Sequence, residues 1–192
     1  MLAGPAVERG LVGPREVSRL WERHILNCAV VTELIPPGAS VVDVGSGAGL
    51  PGIVMALTRS DLRVTLLEPL LRRTTFLEES VEALRLGDRV TVIRGRAEEV
   101  AGTVSGEVVT ARAVAPLEKL AWWCLPLVTP GGQLLAIKGS SAAEEVASSK
   151  AAIRRLGGGP AEVLRVGAEV SESPATVVRI RVVGPPHRRR KR

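Results

Sequence analysis

The chain reads as an α/β fold built on a mostly parallel, seven-stranded sheet that closes in an antiparallel hairpin at one edge. Three observations predict it. From Ser40 onward, short β-branched runs alternate with amphipathic helical stretches, the pattern of strands joined by crossover helices. The first such run, Val41-Val42-Asp43-Val44, leads into Gly45-Ser46-Gly47-Ala48-Gly49-Leu50-Pro51-Gly52, a strand, a tight turn and a helix start. The last two β-rich runs have no helix between them, so they pair as a hairpin. With 192 residues the chain is sized for one domain with a substantial core.

Residues 1–14 contain Gly4, Pro5, Gly13 and Pro14 and read as an unstructured lead. A single domain over residues 15–183 follows, with 184–192 as a basic tail. Val17, Leu20, Trp21, His24, Cys28 and Val31 recur at helical spacing and define a short N-terminal helix with one apolar stripe. Pro36-Pro37-Gly38 ends it. The first strand and glycine turn come next, then a helix to about Arg59. Residues 63–67 read as a buried strand ending at Glu68. The following helix carries Leu70, Leu77, Val81 and Leu84 on one side and stops at Gly87. Residues 89–94 and 108–111 are the third and fourth strands. Pro116 opens a helix that turns Leu117, Leu120, Ala121 and Cys124 inward. Pro130-Gly131-Gly132 turns into a strand over 133–138, and residues 142–156 form a helix that Gly157-Gly158-Gly159-Pro160 breaks. Strands near 161–166 and 176–183 close the chain.

Composition removes several function classes. No apolar run is long enough to span a bilayer and no secretory signal pattern opens the chain, which reads as cytoplasmic with no membrane partner. Cys28 and Cys124 sit in apolar helical stretches without metal-ligand spacing, so they read as reduced core thiols and no metal is expected. The net charge of +6 is concentrated at one end. Arg188, Arg189, Arg190, Lys191 and Arg192 are five of 26 basic residues, and without them 21 face 20 acids. Such a tail can contact RNA phosphates without reading sequence, or serve solubility alone.

The glycine turn carries the chemistry. Glycines permit positive φ and remove the Cβ atoms that would hold a ligand away from the backbone. The N–H groups at the following helix start favour a polar or anionic group. Two templates fit. Gly47-Ala48-Gly49-Leu50-Pro51-Gly52 matches the dinucleotide pattern G-x-G-x-x-G, a weak signal alone. Asp43 through Gly49 matches the first motif of S-adenosylmethionine enzymes, in which an acid precedes G-x-G-x-G. Asp43 discriminates, because a carboxylate facing a pyrophosphate would repel it, whereas S-adenosylmethionine carries a sulfonium and an ammonium. A merely tight turn explains one or two glycines but not three plus the acid.

Other candidates follow the later strands, where open α/β sheets bind ligands. Glu68, at the end of the second strand, is placed to accept hydrogen bonds from ribose hydroxyls. Ala97 and Glu98, in Gly95-Arg96-Ala97-Glu98 after the third strand, can present backbone groups to an adenine edge. Arg112, in Thr110-Ala111-Arg112-Ala113, can fork onto a methionine carboxylate or an RNA phosphate, or form a surface ion pair. Lys138 faces the same rim without an assigned role. Trp122 projects opposite the apolar stripe of its helix and can stack on an extruded base or cover the sheet edge. His24 reads as a hydrogen-bonded core histidine.

Absent motifs narrow the reaction. No Asn-Pro-Pro-Tyr or Asp-Pro-Pro-Tyr follows the fourth strand, against exocyclic amino methylation, and Cys124 is packed rather than poised as a nucleophile for cytosine C5 chemistry. Methylation of a ring nitrogen with a free lone pair needs neither, nor a base. No catalytic residue is therefore assigned, and the rate would come from positioning and exclusion of water.

Taken together these segments resemble the RsmG (GidB) methyltransferases. The similarity is carried by Arg23-His24-Ile25-Leu26-Asn27, Asp43 through Ile53, Leu66-Leu67-Glu68 with Arg72-Arg73 and Phe76-Leu77, Gly95-Arg96-Ala97-Glu98, Thr110 through Ala115, and Leu135-Ala136-Ile137-Lys138-Gly139. The resemblance implies a seven-stranded, Rossmann-like S-adenosylmethionine fold and methylation of N7 of a guanine in 16S ribosomal RNA, guanine 527 in rRNA numbering. Small ribosomal subunits are the implied partner. It also implies cofactor contacts at Gly45, Leu50, Ala97, Glu98 and Arg112; Gly47 and Glu68 join that set from the turn and the strand end. Two features depart from the family: the segment before Arg23 is short, and Asn27 stands where an aspartate is usual. Three rival readings stay open at this point. They are an assembly factor that uses the pocket for binding only, a nicotinamide-dependent oxidoreductase, and a small-molecule methyltransferase.

Overall fold

The computed structural model describes residues 1–112, 115–170 and 174–184. Ala113 and Val114 of the fourth-strand motif, and all of the basic tail except Gly184, lie outside the described residues.

Seven strands form one sheet: β1 (Ser40–Val44), β2 (Arg63–Glu68), β3 (Val90–Arg94), β4 (Gly106–Arg112), β5 (Val128–Lys138), β6 (Gly158–Val166) and β7 (Ala175–Val182). Their order is β3-β2-β1-β4-β5-β7-β6. The first five run parallel, and β7 inserts antiparallel between β5 and β6. The expected α/β class and terminal hairpin are both present. Strand order reverses between β1 and β4, the place where such sheets open a crevice beyond their strand ends.

β1 is buried on both faces, as its unbroken Val-Val-Asp-Val run requires in a helix-covered parallel sheet. Val41, with Val64, Leu66, Val108 and Leu135, packs on one side against Met55, Leu77 and Val31. Val42 and Val44, with Val109, Ala111 and Leu134, pack on the other against Leu117, Leu120, Ala121 and Ile153. The covering helices are α3 (Gly52–Thr58) and α4 (Leu71–Ala83) on the first side, with α6 (Leu117–Cys124) and α7 (Ala142–Arg155) on the second; α5 (Ala97–Val100) is one turn after β3. All four inward positions expected on α6 are fully buried. On α4, Leu70 and Leu84 stay exposed, and Phe76 is buried with Leu77 and Val81.

β5 starts earlier than its sequence implies. Pro130-Gly131-Gly132 lies within it as a bulge, since Gly106 pairs with Val128 but Val108 pairs with Gln133.

The N-terminal segment differs from both expectations placed on it. Residues 14–34 are helical, but the pitch changes along them: 3₁₀ over Pro14–Arg19, π over Leu20–Leu26, α2 over Asn27–Ala29, then 3₁₀ over Val30–Leu34. Each change rotates the apolar stripe, because the hydrogen-bond spacing moves from i+3 to i+5 and back. Cys28 and Val31 therefore stay buried while Trp21 is 64% exposed. Residues 1–14, expected to be unstructured, include α1 (Pro5–Glu8). Ala6 and Val12 are buried with Leu20 against Phe76, and Arg9 pairs with Glu79 of α4 at 2.7 Å. A Gly/Pro-rich stretch has no period to read, and its apolar residues find an order on Phe76 and, through Leu2, on the Cys28–Leu50–Val54 cluster. Among the described residues no helix is long and apolar enough to cross a membrane.

Candidate functional site

The glycine turn sits beyond the ends of β1 and β2. Gly45, Gly47 and Gly49 take φ of 72°, 57° and 88°, which side chains rarely adopt. The Gly45 amide donates to the Leu67 carbonyl at 2.8 Å, and the Gly49 and Leu50 amides donate to the Ser46 carbonyl at 2.8 and 3.1 Å. The Gly47 amide donates to Glu68 Oε2 at 3.1 Å. The Gly52 amide, at the start of α3, donates to Asp43 Oδ2 at 2.9 Å.

This differs from the expectation of free amides facing a ligand. The Gly45, Ser46, Gly47, Gly49, Leu50 and Gly52 amides are engaged within the protein, and Asp43 does not face the cleft but fills the helix start from beneath. Asp43 is fully buried and its Oδ1 has no hydrogen-bond partner. Burial pushes its pKa up to about 7; the neighbouring Glu68 adds to the rise, and the Gly52 amide and Arg112 oppose it.

Glu68 is 1% exposed. Besides the Gly47 amide, it accepts the Leu70 amide on Oε1 at 3.2 Å, and Arg73 stands 3.7 Å from Oε2. Each carboxylate oxygen has a second lone pair, so the group can still accept hydroxyl hydrogens while it fixes the turn. Next to it a crevice of about 90 Å³ is lined by Val44, Gly45, Leu67, Ala97, Glu98 and Trp123, among others. Ala97 is buried at the start of α5, whose first turn is held by the Arg96 amide donating to Glu99 at 3.1 Å. Glu98 is exposed at the crevice edge.

Trp123 is the residue sequence reasoning missed. It lies three positions after the buried Leu120, on the flank of the α6 stripe, and that spacing was its signal. Trp122, singled out instead, is 54% exposed and does not line the crevice.

The structure brings Gly45, Ala97 and Glu98 around one crevice, while Gly47 is tied to the buried Glu68 beside it. The Leu50 side chain turns away, packing with Cys28 and Val54, and its amide is engaged; its carbonyl is the group left for a ligand. Arg112 ends β4 on the same sheet face as Asp43, and its Nη2 donates to His24 Nδ1 at 2.9 Å. His24 Nε2 is 2.8 Å from Glu16 Oε2. The partner of Arg112 is thus a histidine rather than the surface carboxylate considered from sequence. Lys138 binds Glu145 at 2.7 Å and the Ala115 carbonyl at 3.0 Å. Glu145 also accepts the Leu117 amide at 2.7 Å, so the pair clamps the segment after β4 to α7. Among the described residues no group of three or more His, Cys, Asp or Glu could hold a metal ion.

With this geometry in place, comparison with known proteins is specific. A family model described as rRNA small subunit methyltransferase G (GidB) matches residues 1–173. The chain is 60% identical over 187 residues to ribosomal RNA small subunit methyltransferase G of Salinispora arenicola, covering 94% of this chain and 77% of that protein. It is 58% identical over 195 residues to the protein of that name from Rhodococcus jostii, covering 100% and 84%. Among solved structures, a SAM-dependent O-methyltransferase of Thermotoga maritima superposes with a TM-score of 0.66 at 16% identity, covering 92% of this chain and 72% of that one. At that identity the likeness concerns the fold.

Proposed function

The chain belongs to the GidB family, rRNA small subunit methyltransferase G, and from that premise we propose that it transfers a methyl group from S-adenosylmethionine to N7 of one guanine, guanine 527, in 16S ribosomal RNA within the cytoplasm. The observation that carries the cofactor reading is the Gly47–Glu68 contact beyond the ends of β1 and β2, with the crevice of Ala97, Glu98 and Trp123 beside it.

The residues fit such a cofactor. Gly45 and Gly47 bare the backbone where a Cβ would stand in the way, and the Leu50 carbonyl can receive the ammonium of the methionine moiety. Glu68 accepts the ribose hydroxyls on lone pairs left by the Gly47 and Leu70 amides. The Ala97–Glu98 backbone and the Trp123 ring hold the adenine edge and face. Arg112 offers its remaining N–H groups to the methionine carboxylate. Asp43 takes up the Gly52 amide at the helix start, so that donor is not free for a dinucleotide's pyrophosphate.

S-adenosylmethionine supplies a methyl already activated by its sulfonium, and guanine N7 attacks with its own lone pair, so no proton has to leave before transfer. The protein's share is alignment and exclusion of water. No side chain is assigned as a base.

The test is transfer of labelled methyl from S-adenosylmethionine to small ribosomal subunits lacking the modification, followed by mapping of the nucleotide. Stoichiometric N7 methylation at one guanine is expected. Cofactor binding without transfer would favour an assembly factor that keeps the pocket for binding alone.

A further inference from the structure

Read from sequence, His24 is a core histidine with a satisfied hydrogen bond. The structure puts it to a narrower use. A guanidinium has donors only, so the 2.9 Å contact with Arg112 requires His24 Nδ1 to be unprotonated. The 2.8 Å contact with the Glu16 carboxylate then takes the proton on Nε2. One neutral tautomer satisfies both neighbours, and Glu16 selects it. The His24–Glu16 hydrogen bond is also the largest influence holding the Glu16 carboxyl below its ordinary range.

We propose that Glu16 and His24 are positioning residues: they hold the Arg112 guanidinium in the orientation that receives S-adenosylmethionine. The inference rests on the cofactor reading given above. Arg112 is long and half-buried at the end of β4, and a guanidinium already held by His24 loses less freedom when a ligand arrives. The arrangement also makes the irregular helical segment of residues 14–34 part of the cofactor site. Glu16 comes from its 3₁₀ turn and His24 from its π turn, where the wider spacing sets the ring toward β4.

Protonation of His24 breaks the arrangement, since an Nδ1–H cannot accept from Arg112 and the added charge faces a cation. The groups around the imidazole are Glu16 and Arg112 in direct contact, Arg19 and Arg23 beside Glu16, and Cys28 and Asp43 beside Arg112. Asp43, also near Arg112, has its own pKa pushed up to about 7, so acidifying the wild type alone would not separate the two groups. The variant His24→Asn isolates it: the amide oxygen takes the place of Nδ1, accepts from Arg112 and does not titrate.

The experiment is calorimetric S-adenosylmethionine binding to the wild type, His24→Asn, His24→Leu and Glu16→Ala from pH 8 to pH 5.5. At pH 8, His24→Leu is expected to weaken binding about five- to tenfold, the equivalent of one unheld side chain. His24→Asn stays within about twofold, and Glu16→Ala falls between. On acidification the wild type loses affinity more steeply than His24→Asn, which a merely structural role would not produce. Unchanged affinity in His24→Leu, or parallel pH profiles for the wild type and His24→Asn, overturns the relay. Should His24→Leu fail to fold, long-range ¹H–¹⁵N correlation on the wild type decides the tautomer: a proton on Nδ1 overturns the proposal, and one on Nε2 with a bare Nδ1 supports it. A wild type that binds no S-adenosylmethionine overturns the cofactor reading as well, whereas binding that the variants leave untouched overturns the relay alone.

Discussion

Asp43 Oδ2 and the Gly52 amide meet at 2.9 Å, joining the end of β1 to the first turn of α3 through a fully buried carboxyl. Oδ1 has no partner, and burial pushes the pKa up from 3.8 to about 7 against the opposing Gly52 bond. The folded chain therefore holds a proton in a window where the unfolded chain has released it. That stabilising contribution is full below about 3.8 and is lost as the pH rises through about 7.

Asp43→Asn keeps an acceptor for Gly52 and removes the charge. Its stability relative to wild type should rise between pH 4 and pH 7 and level off above, by at most about 4 kcal/mol for a shift of that size. Urea titrations of both proteins at several pH values measure it. A difference that is flat with pH would contradict the buried, proton-holding role.

Gly49 has two reasons to be glycine, and they can be separated. Its φ is 88°, and a Cβ built there lies 2.5 Å from Ile53 Cδ1 and 2.8 Å from Cγ1. Ile53 is buried, and its side chain has to shift to admit the methyl group. Gly38 shares a positive φ of 70°, yet a Cβ there meets nothing within 4 Å. Gly49→Ala should cost about 2–4 kcal/mol, from backbone and packing together, and Gly38→Ala only about 1 kcal/mol from backbone alone. Equal shifts in denaturation midpoint would show that Ile53 is not the constraint.

What was legible in the sequence follows from how local each cause is. The strands β1 to β4 and the α6 stripe declare themselves through short-range periodicity, and the glycine turn through residues that only its φ values demand. Glu68, Ala97 and Glu98 were readable because strand ends in such sheets converge on one opening. Long-range causes were not readable. Nothing near Ala6 says that Phe76, seventy residues later, will bury it. Nothing in the Trp21–Cys28 stripe says that the pitch will change and expose Trp21 while turning His24 to Arg112. The direction of Asp43 was read as facing the ligand because the motif gives its position, not its rotamer.

Lys138 and Glu145 form a clamp whose parts differ in what they can lose. Their side chains are 10% and 20% exposed. Burial raises the Glu145 pKa, but hydrogen bonds from Lys138, Ser141 and the Leu117 amide outweigh it, and the net shift is downward. Its contribution to stability is thus present above the ordinary value of 4.5 and lost as the pH falls through the lowered one. Lys138→Met strands a poorly solvated carboxylate and should cost about 2–3 kcal/mol at pH 7. Glu145→Gln still accepts from Leu117 and should cost about 1 kcal/mol. The double variant should cost less than the sum, by about 1–2 kcal/mol. Additive losses in a denaturation cycle would show that the two groups do not depend on each other.

Trp122 and Trp123 are neighbours in sequence with opposite surroundings, so their variants test cofactor and substrate binding separately. Trp123 lines the crevice with Val44, Leu67 and Ala97, and the Lys119 ammonium lies 4.8 Å from its ring centre. Trp122 is 54% exposed on the far side of the same helix turn. An aromatic face against a base is worth roughly 1–3 kcal/mol, so Trp123→Leu should weaken S-adenosylmethionine binding about tenfold and leave affinity for the small ribosomal subunit nearly unchanged. Trp123→Phe should recover most of the loss. Trp122→Ala should do the reverse, keeping cofactor affinity and lowering subunit affinity about fivefold if its ring stacks on a base. Calorimetry with the cofactor and filter binding with subunits give the two readouts. Should Trp122→Ala bind subunits as tightly as wild type, base stacking falls to some other group on the rim. Should Trp123→Leu bind S-adenosylmethionine normally, the crevice is not where the adenine sits.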